Sequence, residues 1–447
     1  MKVKIILKFI ALCSLNFALS QGYYPSPIDR DPLKWPFSDT SIWNTPIGSG
    51  AVYVNAHIES ATAYGMTIDE DYIVMTPDAP MMNVYYSNAG WSTSRSRCDI
   101  TGAKLISLPI PQDFIVSPTT WAGTTPNSGI AVLMPDKRTI HQNQPFAHCT
   151  EGGDATSQYI VADQDIYGAG ITGIHGGSGL SAIGGTLRVG ELTPTSGPIR
   201  HALKINLYGK KNLFYDATTR GFRWPATKSD SYASSNYYSL RTNPIVNACR
   251  MGALLALPAT LNITSLALET EPAKILAKAF QDYGAYVVDD TAWDVYAILI
   301  EWGPDGRFKT DFQTNWGFSM SQSSKTHPWS RDMDKIFMNL HVVDNNTATS
   351  IGGGGSTRRA PMAPAFKTTE MVTLSKSSSI NVMPTIVNDF ITIKELEPNI
   401  EIKIYDITGS LILTKQLNSD KSINVSMLKN GIYCLQTNTT IVKFIKK

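Results

Sequence analysis

The residues best suited to chemistry crowd into the segment from His141 to Trp224. His141, Gln142 and His148 make a polar cluster after an apolar strand, and neutral amides and imidazoles of this kind bind hydroxyls or polarise a carboxylate. Glycines at 168, 170, 173, 176, 177, 179, 184 and 185 surround His175, a density tolerated where chain turns sharply or approaches something closely. The segment lacks the Gly-Lys-Ser/Thr ending of a phosphate-binding loop. Arg188 and Glu191 follow, and then a run from Arg200 to Tyr208 with clean period-2 alternation. It places His201, Leu203, Ile205 and Leu207 on one face and Arg200, Ala202, Lys204, Asn206 and Tyr208 on the other. Two cations and a phenol on one strand face suit an anionic sugar: Arg200 and Lys204 neutralise a uronate carboxylate and its developing enolate charge, while Tyr208 or His175 takes the proton. A solvated strand face is the plainer reading, as a hydrogen-bonded core histidine is for His201. Arg223 and Trp224 offer a cation beside a stacking ring.

The second chemistry is hydrolysis between paired carboxylates. Asp163 with Asp165, Asp289 with Asp290, and Glu191 with Glu301 are the candidate pairs, and spacing along the chain leaves open which of them meet in space. No nucleophile elbow of the Gly-x-Ser-x-Gly type is present, no spacing suggests zinc, and structural calcium has no motif behind it, so no cofactor is expected.

These groups must be held by a mainly β scaffold. Runs at 51–54, 72–75, 105–108, 130–134, 202–208 and 295–300 read as strands. A short helix is expected at 57–64 and a longer one at 272–283, after Thr270-Glu271 and before Gly284. The 447 residues are 43% hydrophobic and 17% charged with a formal net charge of +2, a globular balance that favours neither nucleic acid nor an anionic membrane as partner. Of five cysteines, Cys98 and Cys149 are a candidate disulfide pair in an exported domain, with Cys249 buried.

The ends of the chain read as addresses. Lys2 and Lys4, an apolar stretch from Ile5 to Leu19 and small residues before Gln21 make a signal-peptide layout over residues 1–20, with no later membrane span. A β-rich main domain over 21–345, a Gly/Pro-rich join over 346–369 and a tail over 370–447 follow. The tail alternates in short strands, with Ile402-Lys403-Ile404-Tyr405-Asp406-Ile407-Thr408-Gly409-Ser410-Leu411-Ile412, Leu428-Lys429-Asn430-Gly431-Ile432-Tyr433-Cys434-Leu435 and a lysine-rich end. It resembles the C-terminal sorting domain of the type IX secretion system. That resemblance implies a small Ig-like antiparallel sandwich, the secretion machinery as partner, and a location outside the outer membrane.

The main domain also resembles a family of secreted bacterial proteins. The residues that carry this likeness run from His175-Gly176-Gly177-Ser178-Gly179 through Arg200-His201-Ala202-Leu203-Lys204 and Arg223-Trp224-Pro225-Ala226 to the Asp282-Tyr283-Gly284 helix end. The resemblance implies one polysaccharide-active domain and leaves its reaction open. An extracellular polysaccharide is the expected partner. A lyase on a uronate-containing glycan is slightly favoured over a glycoside hydrolase, and a non-catalytic glycan-binding or adhesion protein is the alternative outside enzymes.

Overall fold

The computed structural model describes residues 27–62, 65–92, 94–117, 126–367, 382–383, 386–393, 401–406, 411–417, 419–437 and 441–447. The expected signal peptide lies outside these. The chain divides into two units, Met1–Lys367 and Thr368–Lys447.

Mainly β structure is what the alternating runs predict, and it is what forms. A 12-stranded mixed sheet spans the first unit. Its centre runs Ala285–Asp290, Leu203–Leu207, Ala297–Gly303, Thr67–Val74, Ile130–Leu133 and Thr139–Gln144. Leu203–Leu207 pairs parallel with Ala285–Asp290 and antiparallel with Ala297–Gly303, which is parallel to Thr67–Val74. Strands buried on both faces lose the apolar–polar alternation of a half-exposed sheet. Here Leu203, Lys204, Ile205, Asn206 and Leu207 are all buried. The face expected to carry Arg200, Lys204 and Tyr208 toward solvent is therefore covered where Lys204 and Asn206 lie.

Leu203, Ile205, Leu207, Val287, Ile298 and Ile300 face helices Glu271–Asp282, Phe308–Trp316 and Pro328–Phe337, packing on Leu276, Phe280, Trp329 and Phe337. The first of these helices forms where expected: Pro272 sits in its first turn, and Gly284, with φ of +75°, follows its end. The buried carboxylate of Asp332 on the last helix accepts from the backbone N–H of Glu269 and Thr270, tying the two helices together. The helices Phe308–Trp316 and Pro328–Phe337 are additional to the two expected from the sequence. The helix expected at 57–64 does not form over its described residues: His57 has φ of +46°, and His57–Thr62 is irregular.

The opposite face of the sheet is covered by loops. Phe37, Trp43, Ile174, Leu180 and Ala182 pack on Ala202, Tyr286, Val288, Leu299 and Ile73. The glycine-rich segment supplies this cover, and its glycines admit close approach: a Cβ on Gly184 would lie 2.2 Å from Trp43 Nε1. Residues 346–367, which composition alone marks as a join, are laid along this unit. The Arg30 guanidinium stacks 3.8 Å from the Phe366 ring centroid, and Tyr283 donates to the Pro361 carbonyl.

A three-stranded sheet of Lys104–Pro109, Met81–Tyr86 and Ala155–Ser157 completes the unit. Beside it, Cys98 and Cys149 are joined as a disulfide, with Cα atoms 5.8 Å apart. Cys249 is buried and free.

The second unit sets a five-stranded sheet, built on Glu401–Asp406, Gly431–Gln436 and Ile441–Lys446, with a three-stranded sheet that includes Phe390–Ile393. Ile391, Ile393, Ile402, Ile404, Leu435 and Phe444 fill its core. Among the described residues no helix is long and apolar enough to cross a membrane.

Candidate functional site

The polar centre of the main unit begins with Lys204, whose side chain is fully buried on the loop-covered face. Its ammonium donates to Asp71 Oδ2 at 2.8 Å, the Ser181 carbonyl at 2.8 Å and the Ala182 carbonyl at 2.9 Å. Those three bonds use all three N–H groups. His175 Nε2 lies between Asp71 Oδ1 at 3.2 Å and Lys204 Nζ at 3.1 Å, and Nδ1 has no hydrogen-bond partner. Thr186 Oγ1 adds a bond to Asp71 Oδ2. Burial works against the Asp71 charge, yet Lys204 and His175 hold its carboxyl below the usual range. Burial lowers both Lys204 and His175, opposed by Asp71. This compensated knot pins the glycine-rich loop to the sheet.

One pleat along, the charge balance reverses. Asp69 shares a strand face with Asp71, Asn206 shares one with Lys204, and Asp289 pairs in register with Asn206. Asn127 Nδ2 donates to both Asp69 Oδ2 at 2.9 Å and Asp289 Oδ2 at 3.1 Å, and Asn206 Nδ2 donates to Asp69 at 3.2 Å. Asp230, Asp289 and Asp290 each offer an oxygen within 4.8 Å of the others'. Tyr232 donates to Asp290 at 2.7 Å, and Tyr237 to Asp230 at 2.6 Å. Gly177 closes over the group; a Cβ there would meet Asp289 Oδ1 at 2.6 Å.

No ion pair among the described residues neutralises Asp69, Asp230, Asp289 or Asp290, and like charges in a partly desolvated cluster retain protons. Burial, then the charge of Asp71, lifts the Asp69 carboxyl to about 6. Burial, then Asp230, lifts Asp290 to about 7. Asp289, only 5% exposed, is pushed well above the carboxylate range by burial, then by Asp230, Asp290 and Asp69. Asp230 is raised by burial as well. Such a cluster holds acids and carboxylates side by side near neutral pH, which is what proton transfer to a leaving oxygen requires.

The sequence-predicted residues distribute unevenly around this centre. His175 and Lys204 reach its foundation. Asp289 and Asp290, one of the three candidate carboxylate pairs, lie at its heart. Glu191 and Glu301 instead flank Arg188: Glu191 accepts from the Arg188 N–H at 2.8 Å, and Glu301 lies 3.0 Å from its guanidinium. Glu191 also meets His201 Nε2 at 3.0 Å. Burial disfavours both charges there, but their mutual attraction holds Glu191 below and His201 above its ordinary value. Asp163 binds His141 at 2.8 Å and Asp165 binds Arg138 at 2.6 Å. Gln142 braces the glycine-rich loop by accepting from the Ala182 N–H.

His148 bonds the Phe114 carbonyl through Nδ1. Arg223 binds Asp344 and the Ala248 carbonyl, while Trp224 packs at the edge of the loop-side core. Arg200 precedes the buried strand, and the Tyr208 carbonyl caps the turn that follows it. Composition and spacing did not single out Asp69, Asn127, Asn206 or Asp230. Only Asp69 carried a signal: the acids at 69–71 interrupt a strand that ends in buried apolar residues.

Comparison with known proteins bears on the second unit. Residues 381–447 match the secretion system C-terminal sorting domain. No curated protein matches the chain. Among solved structures there is a likeness to one described as PorZ, an essential bacterial surface component of the type-IX secretion system of Porphyromonas gingivalis. It is 17% identical over 15% of this chain and 11% of that one, with a TM-score of 0.14, too low to carry an argument. The tail is a type IX secretion sorting domain, and it marks the chain for export to the cell surface or beyond through that machinery.

Proposed function

We propose that the main unit is an extracellular glycoside hydrolase acting on a polysaccharide through the Asp69–Asp230–Asp289–Asp290 cluster. The observation that carries this reading is the meeting of these carboxylates with no ion-pair partner among the described residues. The acid is drawn from Asp289 and Asp290, the most raised members, and protonates the leaving glycosidic oxygen. Asp69, held by the amide N–H groups of Asn127 and Asn206, supplies the carboxylate that stabilises or attacks the anomeric carbon. Carboxyl groups about 5 Å apart suit retention of configuration, whereas inversion needs about 6.5–9.5 Å to admit a water. The anomeric configuration of the product distinguishes the two.

The uronate lyase reading has less support. It assigns Arg200 and Lys204 to the developing charge and Tyr208 or His175 to the proton. Lys204 is fully buried with its three N–H groups committed, and His175 is buried beside it. The test is a panel of neutral and uronate-containing polysaccharides incubated with the purified protein, following reducing ends and absorbance near 235 nm. Reducing ends without absorbance are expected. Unsaturated products would reinstate the lyase, and binding without cleavage would leave a glycan-binding protein.

A further inference from the structure

We infer that Trp91 and Tyr159 form a stacking subsite for a neutral pyranose ring beside the acid cluster, a proposal that rests on the hydrolase reading for its substrate class. The two rings lie nearly parallel, with centroids 6.1 Å and planes 24° apart. They remain 37% and 50% exposed, and neighbouring Ile160 is 41% exposed. The apolar face of a sugar ring stacks on such a surface while its hydroxyls stay wet.

The position of the pair matters more than its exposure. Trp91 Nε1 donates to Asn127 Oδ1 at 3.2 Å, and the other end of that amide holds Asp69 and Asp289. One side chain therefore separates the indole edge from two of the proposed reacting carboxylates. A ring stacked there belongs to the same polymer chain whose linkage lies over the acids.

The platform is also built in place. Arg97, itself 5% exposed, donates to the Gly90 carbonyl at 2.8 Å and to Ser128 Oγ at 2.9 Å. Thr156 Oγ1 donates to the Arg97 carbonyl, and Cys98 is tied to Cys149. Tyr159 comes from a short strand, Tyr159–Ile160, paired with Gln144 and Asn143. Both rings are thus presented by anchored backbone, which reduces the ordering cost of binding. The ligand's charge follows from the neighbours. Those of the four acids that have lost their protons repel a uronate, and none of them repels a neutral sugar.

The test is native affinity electrophoresis of the full chain in gels containing soluble xylan, mannan, starch or mixed-linkage β-glucan, with polygalacturonate as the anionic counterpart. Reducing-end release from the same polymers is measured in parallel. At least one neutral glycan should retard the wild type. Trp91→Ala and Tyr159→Ala should weaken that retardation about tenfold each, the scale of a lost aromatic contact, and Trp91→Phe should restore part of it. Asp289→Asn should keep retardation and lose cleavage.

Wild-type retardation in folded Trp91→Ala and Tyr159→Ala, with cleavage by the wild type intact, overturns the subsite and leaves the hydrolase standing. Retardation that depends on both rings without any cleavage upholds the subsite and removes the hydrolase. Retardation by polygalacturonate alone overturns the neutral-sugar assignment, and no retardation by any polymer overturns the subsite.

Discussion

Asp69 and Asp289 share one hydrogen-bond donor, the Nδ2 of Asn127, which lies 2.9 Å from one carboxylate and 3.1 Å from the other. A single amide thus holds together two acids that strands alone would leave to repel. Asn127→Ala should separate them and lower glycan cleavage about a hundredfold, within the range for misplacing an acid–base group. Circular dichroism checks that the fold survives, and reducing-end assays read the loss.

Replacing a proton-holding acid should separate activity from stability. Asp289→Asn keeps the shape of the protonated carboxyl and cannot ionise beside Asp230, Asp290 and Asp69. Cleavage should fall about a thousandfold or more, while the midpoint of thermal unfolding at pH 8 should rise or hold. A clear drop in that midpoint would show that the carboxylate is compensated in a way the hydrogen bonds do not reveal.

The acid cluster also sets a pH signature. Asp69 and Asp290 have folded values of about 6 and about 7, above those of an unfolded chain near 3.9. Their contribution to stability is fully present below the unfolded value and is lost as pH rises through the folded ones. Asp71 and Glu191, held low, act in the opposite sense and lose their contribution on acidification. Stability should therefore decline from about pH 5 toward pH 8, and cleavage should fall as pH passes about 7. Asp290→Asn should flatten the upper limb of the stability profile measured by urea unfolding.

Lys204 and Asp71 make the opposite prediction. Both are buried and paired at 2.8 Å, so removing one partner strands a charge. Lys204→Met should cost about 3–5 kcal/mol in chemical denaturation, and the double variant with Asp71→Asn should recover much of it. If Lys204→Met were nearly neutral, the glycine-rich loop would have to be held by its other contacts alone.

Export can be tested without knowing the substrate. A chain truncated before residue 381 should accumulate in the periplasm of a type IX-competent host and be missing from the surface and medium, as fractionation and immunoblotting would show.

Much of the architecture was legible because it rests on local rules. Period-2 alternation located the strand within 202–208, and the stop at Gly284 located the helix at 272–283. The helix Phe308–Trp316 escaped because it buries only Phe308 and Phe312, whereas Pro328–Phe337 carries Trp329, Met333, Ile336 and Phe337 at helical spacing after Pro328 and was readable in principle. Within the site, Asp289 and Asp290 were visible as neighbours in the chain. Asp69, Asn127 and Asp230 reach them only after the fold closes.

The sequence by itself determined an exported, mainly β chain whose tail is a secretion signal, since alternation, turn residues and a sorting motif are written in consecutive positions. Tertiary structure alone decided the charge state of the centre. Whether Lys204 greets a substrate or neutralises Asp71, and whether Asp289 is ionised or holds a proton, depends on burial and on neighbours from distant strands. Both follow from the desolvation of charge, which no spacing along the chain encodes.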